Sequence, residues 1–170
     1  VPRAVTDGDV RGDAGPRIER TTVADAEEIL ALQRRAFLTE AELYGDHGIP
    51  PLIQTLDALR AQFLTHTVLK AVVGDAIVGS VRAVAEGPTC HITRLMVHPD
   101  HRNRGIGGRL VAIEAAFASC RRFELYTGSR SDGNLRLYAR LGYAAYRTEP
   151  FNAALTFVYM AKRGPGAADA

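Results

Sequence analysis

Cysteine is nearly absent from this chain: its 170 residues include two, Cys90 and Cys120. Two thiols cannot form a disulfide scaffold or a four-cysteine metal site, so both read as free thiols in a reducing compartment and no metal is expected. Cys120 falls near the end of a helical stretch, where ordinary packing accounts for it. No run of residues is long and apolar enough to span a membrane. The N-terminus also lacks the basic-then-apolar order of a secretory signal. These absences point to a cytoplasmic protein without a membrane partner. The chain begins at Val1 rather than methionine, which suggests a trimmed or partial start. An excess of one charge is missing too. A net charge of +2 argues against a dedicated nucleic-acid binder, which needs a strong basic excess.

The composition that remains is that of a folded globular protein, with 46% apolar and 24% charged residues. The length suggests one domain with a sizeable core. Residues 1–16 are rich in Gly, Asp, Arg and Pro without an apolar period, and read as a flexible tail. The Arg11-Gly12-Asp13 tripeptide within it is read as coincidence. Residues 17–163 form the domain, and 164–170 a second short tail.

Arg17 to Thr22 reads as a first strand, followed by a helix from about Ala24 to Leu38 striped by Ile29, Leu32 and Ala36. Glu40 to Pro51 is expected to be irregular, since Gly45, Gly48 and the Pro50-Pro51 pair break helices. A second helix runs to about Leu64, with Leu52, Leu56, Leu59 and Phe63 on one face. Thr67–Val73 and Ala76–Ala85 are β-rich runs joined at Gly74-Asp75, a hairpin signal. Residues 91–97 and Phe123–Thr127 are further strands. Asn134–Leu141 is a short helix closed by Gly142. Tyr143–Thr148 and Leu155–Ala161 are the last strands. The order is β-α-α-β-β-β-α-β-α-β-β.

The most informative stretch is His91 to Ala118. A strand (Ile92 to Val97) breaks at His98-Pro99-Asp100 and gives way to the basic loop Arg102-Asn103-Arg104-Gly105-Ile106-Gly107-Gly108. A helical pattern follows, with Ile106, Leu110, Ile113 and Phe117 at steps of four, three and four. A strand, a glycine loop and a helix start make a phosphate site for physical reasons. The first helical amides lack partners, the helix dipole adds positive potential, and glycines let a phosphate approach the backbone. Arg102, Arg104 and Arg109 add charge. A plain glycine-rich turn with a basic rim is the alternative. A dinucleotide fingerprint would need glycine at Leu110, and a P-loop would need Gly-Lys followed by Ser or Thr. Neither is present.

Arg-x-x-Gly-x-Gly after a strand ending Leu95-x-Val97-x-Pro99 resembles the pyrophosphate loop of the GNAT superfamily of N-acetyltransferases, with Arg102, Gly105 and Gly107 at the motif positions. Leu137-Tyr138-Ala139-Arg140-Leu141-Gly142-Tyr143 resembles the second signature of that family. The resemblance spans about Arg17 to Lys162. It implies an α/β (α+β) GNAT fold, a central mixed, mostly antiparallel twisted sheet of about seven strands with about four flanking helices. Two central strands would splay to admit the pantetheine arm of acetyl-CoA.

It also implies acetyl transfer from acetyl-CoA to a primary amine by direct attack, without a covalent enzyme intermediate. Leu95, Met96 and Val97 would offer backbone to the pantetheine and carbonyl, and residues 102 to 108 would hold the pyrophosphate. Tyr138 would protonate the leaving thiolate, whereas Tyr143 belongs to the core. Many members carry asparagine seven residues before the tyrosine; here that position is Ser131. Asn134 either contacts the cofactor or caps its helix. His91, six residues before Val97, is the leading base candidate, with an ordinary strand-end histidine as the alternative. Glu40, Glu42 and Tyr44 lie in the segment that shapes the acceptor pocket in such proteins; solvated loop carboxylates are the other reading. The acceptor is a small-molecule or protein amine, and the last strand suggests a possible homodimer. A non-catalytic acyl-CoA sensor is the rival function.

Overall fold

The computed structural model describes residues 15–167; residues 1–14, including Arg11-Gly12-Asp13, and 168–170 lie outside it. Seven strands form one sheet in the order β1-β2-β3-β4-β5-β7-β6. They are β1 (Arg17–Arg20), β2 (Thr67–Val73), β3 (Ala76–Glu86), β4 (Thr89–Val97), β5 (Arg122–Gly128), β6 (Ala144–Pro150) and β7 (Thr156–Arg163). Neighbours run antiparallel except β4 and β5, which are parallel. The sheet is therefore mixed and mostly antiparallel, as the sequence implied.

The two faces are covered by different helices. Helix α1 (Ala26–Tyr44) lays Ala26, Ile29, Leu32 and Ala36 on Val68, Val72, Ile77 and Met96, joined by Leu59 of α3 (Leu56–Gln62). On the other face, Ile106 and Leu110 of α4 (Ile106–Leu110), Ile113, and Tyr138 of α5 (Asp132–Arg140) pack on Ile92, Phe123 and Leu125. Each fully buried aliphatic side chain contributes about 1.5–3 kcal/mol. Both cysteines lie in this second core, and burial pushes the Cys90 thiol up to about 12.

Several boundaries differ from the sequence reading, and each difference has a cause. Helix α1 does not stop at Leu38 but continues to Tyr44, because Ala41 and Tyr44 are buried and reward the extra turns. Gly45 then closes it at φ +63°, the left-handed cap that glycine takes most easily. The expected second helix is two short ones, α2 (Pro50–Ile53) and α3, with the break at Gln54-Thr55. Thr55 caps α3 by accepting a bond from the Ala58 amide at 3.2 Å. The long helix after the glycine loop is α-helical to Leu110 and then a 3-10 helix over Val111–Phe117. Gly164 onward was read as a tail, yet the Gly164 amide donates to Arg121 and the Gly166 amide to Cys120.

Strand β4 changes direction inside the sheet. Gly79 to Ser80 pair with Val97 to Met96, whereas Arg82 pairs with Thr93, so the register shifts by one at Arg94. Arg94 takes φ +52°, the positive region a non-glycine residue seldom enters. The bulge reverses the facing pattern: Ile92 belongs to the α4–α5 core and Met96 to the α1 core. β4 and β5 pair at Thr89–His91 and Arg122–Glu124 and then diverge, leaving an opening between the central strands. β7 is paired on both sides, with β5 and β6. Among the described residues it leaves no unpaired strand edge for a second copy, and the edge strands of the sheet are β1 and β6.

Candidate active site

A cleft of about 800 Å³, counting its mouth, occupies the opening between β4 and β5. Its sheet walls are Ile92 to Leu95 and Leu125 to Gly128. Asn134 and Tyr138 of α5 close it from one layer. Phe37, Glu40 and Tyr44 of α1, with Ile49 to Pro51, close it from the other, and Leu155 and Phe157 complete the apolar lining. The few polar groups in a mostly apolar wall suit a small organic ligand.

Tyr138 is 5% exposed and lines the cleft. Burial foremost, and the nearby Glu40 carboxylate, hold its phenol well above the usual range. It therefore keeps its proton at any physiological pH. Glu40 accepts a bond from Ser131 Oγ at 2.8 Å, and Ser131 Oγ lies 3.2 Å from Tyr44 Oη. Tyr44 Oη also accepts the Arg130 amide at 2.9 Å. This chain of contacts ties the end of α1 to the loop before α5. Asn134 Nδ2 donates to Thr127 Oγ1 at 3.2 Å, a bond from α5 across to β5.

The glycine loop opens α4 at one end of the same core. Gly105 takes φ +78° and Asn103 φ +60°, which turns the loop sharply ahead of the first helical amides. A Cβ at Gly107 would lie 3.2 Å from Leu137 Cδ2, whereas Gly108 faces open space. Arg104 and Asn103 are exposed, and Ile106 is core. Arg102 is turned elsewhere: its guanidinium donates to the Ala36 carbonyl at 2.8 Å and to Thr39 Oγ1 at 3.0 Å. Its side chain thus fastens the loop to α1.

The structure does not gather all the sequence candidates. His91 lies outside the residues that line the cleft. Its ring nitrogens sit 3.5 Å from Glu86 and 3.8 Å from Glu124, at the closed end of the opening where β4 and β5 still pair. Glu42 is exposed and also outside the cleft, whereas Glu40 and Tyr44 are in its wall. Leu95 lines the cleft; Met96 is buried against α1, and Val97 packs toward α4. Sequence reasoning missed Arg94, Thr127, Gly128 and Ser131 as cleft or cleft-supporting residues. The bulge at Arg94, between Thr93 and Leu95, leaves no compositional mark.

Comparison with known proteins agrees with this architecture. The sequence model of the acetyltransferase (GNAT) family matches residues 26–143. A curated relative, the UPF0157 protein YqkA of Bacillus subtilis, is 27% identical over 124 residues, covering 72% of this chain and 36% of YqkA. The chain thus spans about a third of that relative's length. Among solved structures, the PaiA N-acetyltransferase of Thermoplasma acidophilum, described in complex with coenzyme A, superposes with a TM-score of 0.74 at 16% identity. That match covers 87% of this chain and 98% of the other. YncA of Salmonella typhimurium, described with its cofactor acetyl-CoA, gives 0.69 at 21% identity over 88% and 94% of the two chains.

Proposed function

Because this chain belongs to the acetyltransferase (GNAT) family, we propose that it moves an acetyl group from acetyl-CoA to a primary amine by direct attack. The observation that carries the reading is the cleft between β4 and β5 with the Tyr138 phenol in its wall. The residues present fit the cofactor. Beyond His91, β4 has no β5 partner, so backbone of Leu95 to Val97 is open to a pantetheine arm. Gly105 and Asn103, both at positive φ, turn the loop into the start of α4, whose first amides lack intrahelical partners and would take a pyrophosphate, with the Arg104 guanidinium adding charge. Bound there, acetyl-CoA supplies the thioester acyl group and a thiolate leaving group.

The protein's own groups do the rest. Tyr138 Oη holds its proton until a thiolate forms beside it, then donates it. Glu40, fixed by Ser131, draws the cationic amine into the cleft and accepts its proton directly or through one water. Apolar walls from Phe37, Ile49, Leu155 and Phe157 exclude bulk water and so favour aminolysis over hydrolysis. Asn134, tied to Thr127, lines the cleft and adds a polar group for the pantetheine.

The test is release of free thiol from acetyl-CoA in the presence of a broad panel of primary amines. Release that requires both cofactor and amine is the expected result. Cofactor binding without release on any amine would favour the sensor reading instead.

A further inference from the structure

Two arginines at the centre of the sheet, Arg82 and Arg94, carry positive charge that no carboxylate among the described residues pairs. Arg82 on β3 is 1% exposed. Its outer nitrogens meet three glutamine carbonyls: Nη1 bonds Gln62 Oε1 at 2.9 Å and Gln54 Oε1 at 3.3 Å, and Nη2 bonds Gln33 Oε1. Amide oxygens solvate a guanidinium but do not neutralise it. Burial, with Arg94 adding repulsion, pushes Arg82 down to about 9, which leaves it charged at neutral pH. Arg94 lines the cleft itself. Nε of both arginines is buried without a hydrogen-bond partner. Among the described residues, neither guanidinium forms an ion pair with a carboxylate.

A buried charge without a counter-charge costs several kcal/mol, and two like charges facing one another cost more. A ligand anion at the pair would offset that cost. The position limits which ligand. Arg82 reaches Gln33 of α1 and Gln62 of α3, so the two guanidiniums belong to the α1–α3 side of the sheet. The phosphate loop and Tyr138 pack in the opposite core. The anion therefore comes with the molecule on the acceptor side, where Phe37, Ile49, Pro50 and Phe157 offer an apolar wall. One guanidinium in a mostly apolar cleft that also holds the Glu40 carboxylate suits a singly charged carboxylate better than a dianionic phosphate.

We propose that the acceptor is an amine that also bears a carboxylate on an apolar body, an apolar amino acid or close relative, with Arg94 receiving the carboxylate. Arg82 stands behind Arg94 as a positioning charge, and Glu40 receives the ammonium end. The inference rests on the acetyltransfer reading.

The experiment compares phenylalanine, leucine and methionine with their amides and with the matching amines that lack the carboxyl group. Acetyl transfer is read as thiol release, and binding to the coenzyme A complex is read by calorimetry, for wild type, Arg94→Gln and Arg94→Lys. Wild type should prefer the free acids. Arg94→Gln should weaken them about tenfold to a hundredfold, the worth of a charge-assisted hydrogen bond, and erase the preference over the amides. Arg94→Lys should recover part of it. Coenzyme A affinity should stay within about twofold in both variants, which also reports that they fold. Equal use of acids, amides and plain amines would overturn this inference and leave acetyltransfer standing. Binding of the acids that is absent in wild type, or unchanged in Arg94→Gln, would overturn it whatever the turnover. No binding of acetyl-CoA would instead sink the reading beneath it.

Discussion

Gly128 ends β5 directly beneath the Tyr44 ring, and an alanine there tests how tightly the two sides of the cleft are joined. A Cβ built on Gly128 would lie 2.5 Å from Tyr44 Cζ and 2.9 Å from Cε2, inside any real carbon–carbon contact. The ring is 4% exposed and cannot swing into solvent without vacating the core. Moving it breaks the bond from the Arg130 amide and the contact with Ser131 Oγ, and with them the support of Glu40. Two hydrogen bonds at about 1 kcal/mol each, with overpacking of about 1–3 kcal/mol, put the cost of Gly128→Ala at about 3–5 kcal/mol. That lowers Tm by about 6 to 20 °C for a chain of this size. Urea unfolding measures it directly. In a Tyr44→Ala background the clash partner is gone, so the added cost of Gly128→Ala should fall below about 1 kcal/mol. Gly128→Ala within about 0.5 kcal/mol of wild type would refute the argument, as would an undiminished cost without the Tyr44 ring.

Other expectations concern the chemistry, the loop and the pH response. Tyr138→Phe should lower kcat about a hundredfold. It should leave Tm unchanged, since burial and Glu40 are the influences on its phenol and no hydrogen bond to it is lost; an unchanged kcat removes it as the proton donor. His91→Gln should alter kcat less than about threefold, because the ring pairs with Glu86 and Glu124 outside the cleft; a large loss would restore it as the base. Gly105→Ala should cost about 1–2 kcal/mol through its φ of +78° and weaken acetyl-CoA binding, both readable by calorimetry. Asp25 is pushed up by burial, but the Thr22 amide and Lys70 at 3.0 Å outweigh that and hold its carboxyl below 3.8. A depressed folded value means stability that is present above 3.8 and lost as pH falls through the lower folded value. Asp25→Asn should therefore be less stable than wild type at pH 7, with the gap closing toward pH 3 in denaturant titrations; a constant gap would contradict the assignment.

Local signals in the sequence were enough for most of the fold. The hairpin at Gly74, the glycine loop and the left-handed closure at Gly142 are set by backbone chemistry within a few residues, and all stand where the residues indicate. What could not be read depends on distant contacts. Helix α1 runs on to Tyr44 because Tyr44 finds Gly128 and Ser131, more than 80 residues away. The bulge at Arg94 exists because β3 and β4 slip by one residue, and no turn residue marks it. Arg82 sits in an apolar run, Ser80-Val81-Arg82-Ala83-Val84, that reads as an ordinary strand. Its burial among Gln33, Gln54 and Gln62 requires three elements folded around it. Tyr138, Glu40, Tyr44 and Leu95 were legible and line the cleft, whereas Ile49 to Pro51, Leu155 and Phe157 were not, because that wall is assembled from α2, β7 and the segments beside them.

The most direct test of the account is calorimetric titration of acetyl-CoA into the purified chain. Saturable binding at one site per chain, weakened in Gly105→Ala, is the predicted result. An absence of binding at any accessible concentration would contradict the claim that the opening between β4 and β5 and the loop from Asn103 to Gly108 form a cofactor site.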